Sequence, residues 1–188
     1  MSRQFTQDQK QSALETGAVK PLQGRTAFVK QLAQCVLVAW LAFASYQLAS
    51  HYILQSVEVV GCSMSPTMEP ADRYLLNRLV FFWRDPMPSE IVVLRDPAVG
   101  DYVVKRVIAC AGDTVYIGGG HVYVNGRQLK EPYLPDGTFT YTLPDIKELT
   151  VRCGDNEYFV LGDNRRESAD SRVYGPVARQ NILGVIIH

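Results

Sequence analysis

The sequence predicts a mostly β domain, an antiparallel sheet or partly open barrel, behind a single N-terminal transmembrane helix. Two observations predict it. A charge-free apolar run sits near the N-terminus of the 188-residue chain. After it come many short β-branched runs separated by turn signals, with no long segment of helical period. The 19 basic and 19 acidic residues cancel, so no global field draws the chain to nucleic acid, and no such partner is expected.

Residues 1–31 are polar, carry Gly17, Pro21 and Gly24, and read as a flexible arm. From Gln31 to Val57 there is no Lys, Arg, Asp or Glu. Within that stretch, 18 of the 23 residues from Leu32 to Leu54 are apolar or aromatic. A helix of that length spans roughly 34 Å, enough to cross a bilayer core. Trp40, Tyr46 and Tyr52 add rings, and Tyr52 is placed for an interface. Arg3, Lys10, Lys20, Arg25 and Lys30 outweigh Asp8 and Glu15 ahead of it. The positive-inside rule puts the arm in the cytoplasm and everything after Leu54 outside, in a single-pass protein of the plasma or inner membrane. A cleaved signal peptide competes, since Ala42-Phe43-Ala44 resembles a cleavage site. The long charged region and the apolar run past that site favour an uncleaved anchor.

Residues 55–188 form the predicted extracytoplasmic β domain, with a hairpin-rich cap within about 112–156. Strand candidates are Ser56–Val60, Ile91–Leu94, Tyr102–Ile108, Tyr158–Leu161 and Ile182–Ile187. Thr114–Ile117 and His121–Val124 flank Gly118-Gly119-Gly120 as a hairpin. Asn125-Gly126 signals a type I′ turn into a strand through Leu129. The triple glycine runs into a strand, unlike a phosphate loop, which leads into a helix. Cys62, Cys110 and Cys153 leave an odd number outside the anchor, and their spacing fits no zinc pattern. No metal or other cofactor is expected.

Three segments carry chemistry-bearing residues. Gly61-Cys62-Ser63-Met64-Ser65-Pro66-Thr67-Met68 follows a strand shortly after the membrane. Lys105 sits inside the apolar strand Val103-Val104-Lys105-Arg106-Val107-Ile108. Gly162 through Arg172 is a polar loop after a buried-type strand. In a strand, Val103, Lys105 and Val107 point the same way. If that face is the core, the ammonium loses hydration and its pKa falls, leaving a neutral amine able to act as a general base. If the face is solvent, Lys105 is an ordinary surface lysine. A serine triad needs a histidine, and His51, His121 and His188 sit in no convincing motif.

Together these segments resemble the type I signal peptidases, serine peptidases of family S26 that use a Ser/Lys dyad. The Ser-Met-x-Pro-Thr box appears as Ser63-Met64-Ser65-Pro66-Thr67. The lysine box appears as Lys105-Arg106-Val107-Ile108-Ala109, followed by Gly112-Asp113. The box Gly-Asp-Asn-Arg-x-x-Ser-x-Asp-Ser-Arg is complete from Gly162 to Arg172. The resemblance implies a membrane-bound endopeptidase that removes signal peptides from exported preproteins, on a signal peptidase/LexA-like β fold. Ser63 is then the nucleophile and Lys105 the base, with Ser168 hydrogen-bonding the lysine. Asp170 and Arg172 form a supporting ion pair, and Asp163 and Asn164 satisfy loop backbone groups. The Ser63 N–H supplies one oxyanion donor. Some family members carry a second donor hydroxyl two positions earlier, where this chain has Gly61. Cys62 is a conceivable nucleophile that the register disfavours.

Such enzymes take small residues at the first and third positions before the cut. Val59, Val60, Met68 and Val104 are the candidate pocket residues, with substrate added as an extended strand. Val80-Phe81-Phe82-Trp83 is either core or a segment dipping into the outer leaflet. The lipid bilayer and export machinery are the further expected partners. Competing readings are a specialised pilus or conjugation processing peptidase, a LexA-like self-cleaving switch, and a non-enzymatic tethered domain that binds signal peptides.

Overall fold

A computed structural model describes residues 23–52, 54–144 and 146–187. Residues 1–22 of the expected arm, including Arg3, Lys10 and Lys20, lie outside the described residues, as does His188. The chain separates into two compact units, Met1–Tyr46 and Gln47–His188.

The first unit contains most of helix α1, Gln23–Tyr52. It starts upstream of the apolar run, because no proline interrupts the chain after Gln23. Residues from Gln23 to Gln31, expected in the arm, are therefore helical. Ala27–Gln47 is long and apolar enough to cross a membrane. Leu32, Val36, Trp40 and Phe43 are all exposed, so this stretch has no protein core of its own to bury them.

The second unit is built on two antiparallel sheets. The larger draws on β1 (Leu54–Glu58), β2 (Arg73–Asn77), β3 (Ile91–Arg95) and β4 (Tyr102–Ala109). The smaller comprises β5 (Thr114–Gly118), β6 (His121–Val124), β7 (Arg127–Gln128) and β8 (Leu149–Arg152), in the order β7-β6-β5-β8. The chain then returns through β9 (Glu157–Leu161), a one-turn helix α2 (Ser171–Tyr174), β10 (Val177–Ala178) and β11 (Ile182–Ile187). The larger sheet reads β1-β2-β11-β3-β4-β9-β10. Its ends do not pair, so it is an open, curled half-barrel. Register shifts between Val107 and Ala109 and between Ile182 and Gly184 increase its twist.

Turn chemistry follows the residues. Gly119 and Gly120 close the β5–β6 hairpin, and Asn125 and Gly126 the β6–β7 hairpin, all at positive φ. Strands β2 and β8 had no strong sequence signal. Arg73-Tyr74-Leu75-Leu76-Asn77 has no β-branched residue, and its pairing with β1 and β11 fixes it. Val59 and Val60, expected on the strand before the serine, lie beyond the end of β1.

The two faces of β3 feed different cores. Ile91 and Val93 pack with Val59, Met64, Met68, Leu76 and Ile186. Val92 and Leu94 pack with Val107, Tyr158, Val160, Val177 and Ile182. A third cluster, with Ile108, Val115, Ile117, Val122 and Phe159, joins the larger sheet to the smaller. The smaller sheet is thus fastened onto the end of β4 and β9, next to Lys105 and the Gly162 loop.

Candidate active site

The segment carrying Ser63 is held by its neighbours. Gly61 takes a φ of 100°, a left-handed conformation that disfavours a side chain. The chain then folds back, with Ser65 N–H donating to Cys62 O and Met68 N–H to Met64 O. Met64 and Met68 are each 1% exposed and plug this turn into the core. Ser63, just before Met64, is left at the partly exposed lip of the site.

Lys105 meets it from β4. Its Nζ lies 3.0 Å from Ser63 Oγ and donates to Val104 O at 3.1 Å. Strand alternation gives it the side of Val103 and Val107, and its cross-strand partner is the buried Val92. The lysine is 3% exposed. Burial pushes its pKa below the ordinary value of 10.5, while the Asp170 and Asp96 charges pull it partway back. Lys105 and Arg106 are both buried, so neither is the surface residue that strand alternation allowed.

The Gly162–Arg172 loop closes the site. Asn164 N–H donates to Ser63 O at 3.0 Å, which ties the loop to the serine turn. Gly162 is a close-approach glycine. A Cβ there would lie 2.2 Å from Ser168 Oγ and 2.5 Å from Ser63 O. Asp170 accepts from Gly162 N–H at 3.0 Å, caps α2 through Arg172 N–H, and pairs with the Arg172 guanidinium at 2.8 Å. Four atoms of the loop are thereby fixed by one carboxylate that is fully buried.

Two sequence expectations need correction. Ser168 was expected to hydrogen-bond Lys105. Its Oγ is buried without a partner among the described residues, because the amine is engaged by Ser63 Oγ and Val104 O while the hydroxyl packs over Gly162. Asp163 was expected to satisfy loop backbone groups. Its carboxylate instead takes both prongs of Arg106, at 2.9 and 2.6 Å, and the Thr67 hydroxyl at 2.6 Å. Arg106 also donates to Ser89 O and lies under the Tyr133 ring at 3.8 Å. This ion pair joins the residue after Lys105, the serine turn and the last loop.

A second network went unnoticed in the sequence. Arg165 donates to Gly162 O at 3.0 Å and forms a buried pair with Glu131 and a bond to Thr140, both in the cap. The signal for the Arg106 network was present, since an arginine inside an apolar strand must find a carboxylate, whereas Arg165 sits in a polar loop that gave none. Which carboxylate it finds depends on contacts far apart in sequence.

A model of the signal peptidase family, peptidase S26, matches residues 29–187. The chain belongs to this family. It is 33% identical over 172 residues to "Probable signal peptidase I-1" of Synechocystis sp., covering 87% of this chain and 83% of that one. It is 34% identical over 138 residues to "Signal peptidase I V" of Bacillus subtilis, covering 69% and 81%. A crystal structure of a signal peptidase I from Enterococcus faecalis aligns with a TM-score of 0.47 at 30% identity, covering 55% of this chain and 98% of that one. Membership makes the chain a serine endopeptidase that acts on preproteins.

Within this peptidase the four pocket candidates differ in exposure. Val59 and Met68 are closed into the core, Val104 borders the same cluster, and Val60 is 94% exposed. Cys62 is turned aside: its Sγ lies 3.2 Å from Glu167 Oε2, whose carboxylate pushes the thiol pKa up and keeps it protonated. The Ser63 N–H makes no backbone hydrogen bond among the described residues. Among those residues no group of three or more His, Cys, Asp or Glu could hold a metal ion.

Proposed function

We propose that Ser63 and Lys105 are the catalytic pair and that the peptidase cuts signal peptides from exported preproteins at the membrane surface. One observation carries the assignment: a buried lysine amine 3.0 Å from a serine hydroxyl. Neutral Lys105 takes the proton as Ser63 Oγ attacks the scissile carbonyl, then gives it to the leaving amine. Lys105 next takes a proton from water, which attacks the acyl-Ser63 ester, and returns that proton to Ser63 Oγ as the carboxylic acid product leaves. In this reading the Ser63 N–H donates to the oxyanion, supported by its having no backbone acceptor among the described residues. Asp163, Asn164, Asp170 and Arg172 hold the loop behind the pair. Ser168 shapes the same pocket wall through its packing on Gly162.

The substrate path follows from an open edge. β9 pairs with β4 only from Arg106 onward, so among the described residues Tyr102–Lys105 has a strand partner on the β3 side alone. An extended signal peptide can add along the free side and bring its carbonyl to Ser63. Val104 and the projecting Val60 are the residues of the expected pocket set that remain available to touch it.

The anchor helix would tether the domain to the lipid bilayer, with the N-terminus cytoplasmic and the β domain outside, near the export machinery. Two measurements test this reading. The protein in detergent should cut a preprotein after its Ala-x-Ala site, with the new N-terminus read by sequencing. A tag after His188 should be digested by protease added to intact cells or spheroplasts, and protection of that tag would reverse the orientation.

A further inference from the structure

A groove of about 350 Å³ lies between the cap and the catalytic loop. Its walls include Phe139, Tyr141, Leu143 and Val173, which all present exposed apolar surface. Among the described residues three arginines line it, and no Asp or Glu does. Two of them are already neutralised, Arg165 by Glu131 and Arg172 by Asp170. Arg166 is exposed and joins none of the ion pairs among the described residues. The groove therefore combines apolar walls with one uncompensated positive charge.

Ser168 connects it to the reaction centre. This residue lines the groove, and its Oγ and Ser63 O crowd the same side of Gly162. The direction of the substrate selects the occupant. On the proposed function, residues before the cut lie along the open edge of β4 at 102–104. The chain after the cut leaves beyond Lys105, where β4 continues into Arg106 and meets Leu161 and Asp163. That exit is the Gly162–Ser168 loop.

We infer that this groove is a subsite for the first residues of the mature protein, with an acidic side chain held by Arg166 and an apolar one laid against Phe139 and Tyr141. The inference rests on the signal-peptide reading and extends it to the far side of the scissile bond. A partly exposed ion pair is modest in strength, and exchanging an attracted for a repelled charge is worth roughly fivefold.

The test uses the full chain in neutral detergent and three preprotein peptides that differ only at the second position after the cut: Glu, Ala or Lys. The wild type should cleave the Glu peptide with a kcat/KM about fivefold above the Lys peptide. Arg166→Gln should level the two, and Arg166→Glu should invert the order. High salt should erase the preference. All three proteins should treat the Ala peptide alike. An unchanged Glu-over-Lys preference in Arg166→Glu overturns the inference. So does an Arg166→Glu effect that is the same on every peptide and appears only with anionic vesicles, which would assign the charge to lipid headgroups. Loss of all cleavage in both variants, with their melting temperatures intact, also overturns it. Failure of the wild type on every peptide removes the underlying reading itself.

Discussion

Lys105→Met is expected to lower preprotein cleavage by about 10⁴-fold while leaving the protein folded. That is the upper end of what a general base supplies, because one amine serves both acylation and deacylation. Methionine keeps most of the length and apolar volume of the side chain and removes only the titrating group. The pH dependence gives an independent readout. Only the neutral amine accepts a proton, so the wild-type rate should rise with pH along a limb set by Lys105. Its midpoint should fall below the ordinary lysine value of 10.5, since burial is the largest influence on it.

The Lys105→Met substitution should move stability the opposite way from activity. Below the lowered pKa, the folded protein carries a buried ammonium that the unfolded chain keeps in water. The penalty is full there. It shrinks as pH rises through the window between the folded pKa and 10.5, because the unfolded chain then binds more protons than the folded one. Lys105→Met should therefore be more stable than wild type at neutral pH, and the gap should close toward high pH. A variant that melts below wild type at neutral pH would contradict the burial argument.

Asp163→Ala is expected to destabilise the β domain by about 3–5 kcal/mol. The Arg106 and Asp163 side chains are 7% and 0% exposed, and their shortest contact is 2.6 Å. Removing the carboxylate strands a guanidinium in the interior and leaves the Thr67 hydroxyl without its acceptor. A loss of that size should lower the melting temperature by roughly 10 °C or more. Cleavage should fall too, since the pair joins the lysine strand to the serine turn. Replacing both members, as Arg106→Met with Asp163→Leu, should cost less than the two single changes added together. Additive losses would mean that the two side chains do not act as a pair.

Much of this was legible in the residues. The charge-free run from Gln31 to Val57 announced α1, and the β-branched runs at Ile91–Leu94, Tyr102–Ile108 and Ile182–Ile187 announced the sheet. Gly119, Gly120, Asn125 and Gly126 named their own hairpins because the required positive φ restricts the choice of residue. Strand β2 was not legible, since its identity comes from pairing with β1 and β11 rather than from its own propensity.

The site was legible in kind and less so in its connections. Ser63 and Lys105 stood out because a serine box and an apolar-strand lysine coincide with a lack of usable histidine. Their spacing of 3.0 Å could only come from the fold. The side-chain partners of Asp163 and Arg165 depend on contacts between segments 25 to 96 residues apart, and local sequence carries no trace of which pairs form. The different exposures of Val59 and Val60 were not legible for a related reason. Alternation predicts which side chains share a face only while the strand lasts, and β1 ends at Glu58.

The central claim is that Ser63 is the nucleophile, and its most direct measurement is cleavage of an Ala-x-Ala preprotein by Ser63→Ala. The variant removes one oxygen from a partly exposed turn whose fold rests on Met64 and Met68, so its melting temperature should match wild type. Cleavage should fall to the uncatalysed background, and no acyl-enzyme adduct should appear by mass. Wild-type cleavage by a folded Ser63→Ala protein would contradict the account.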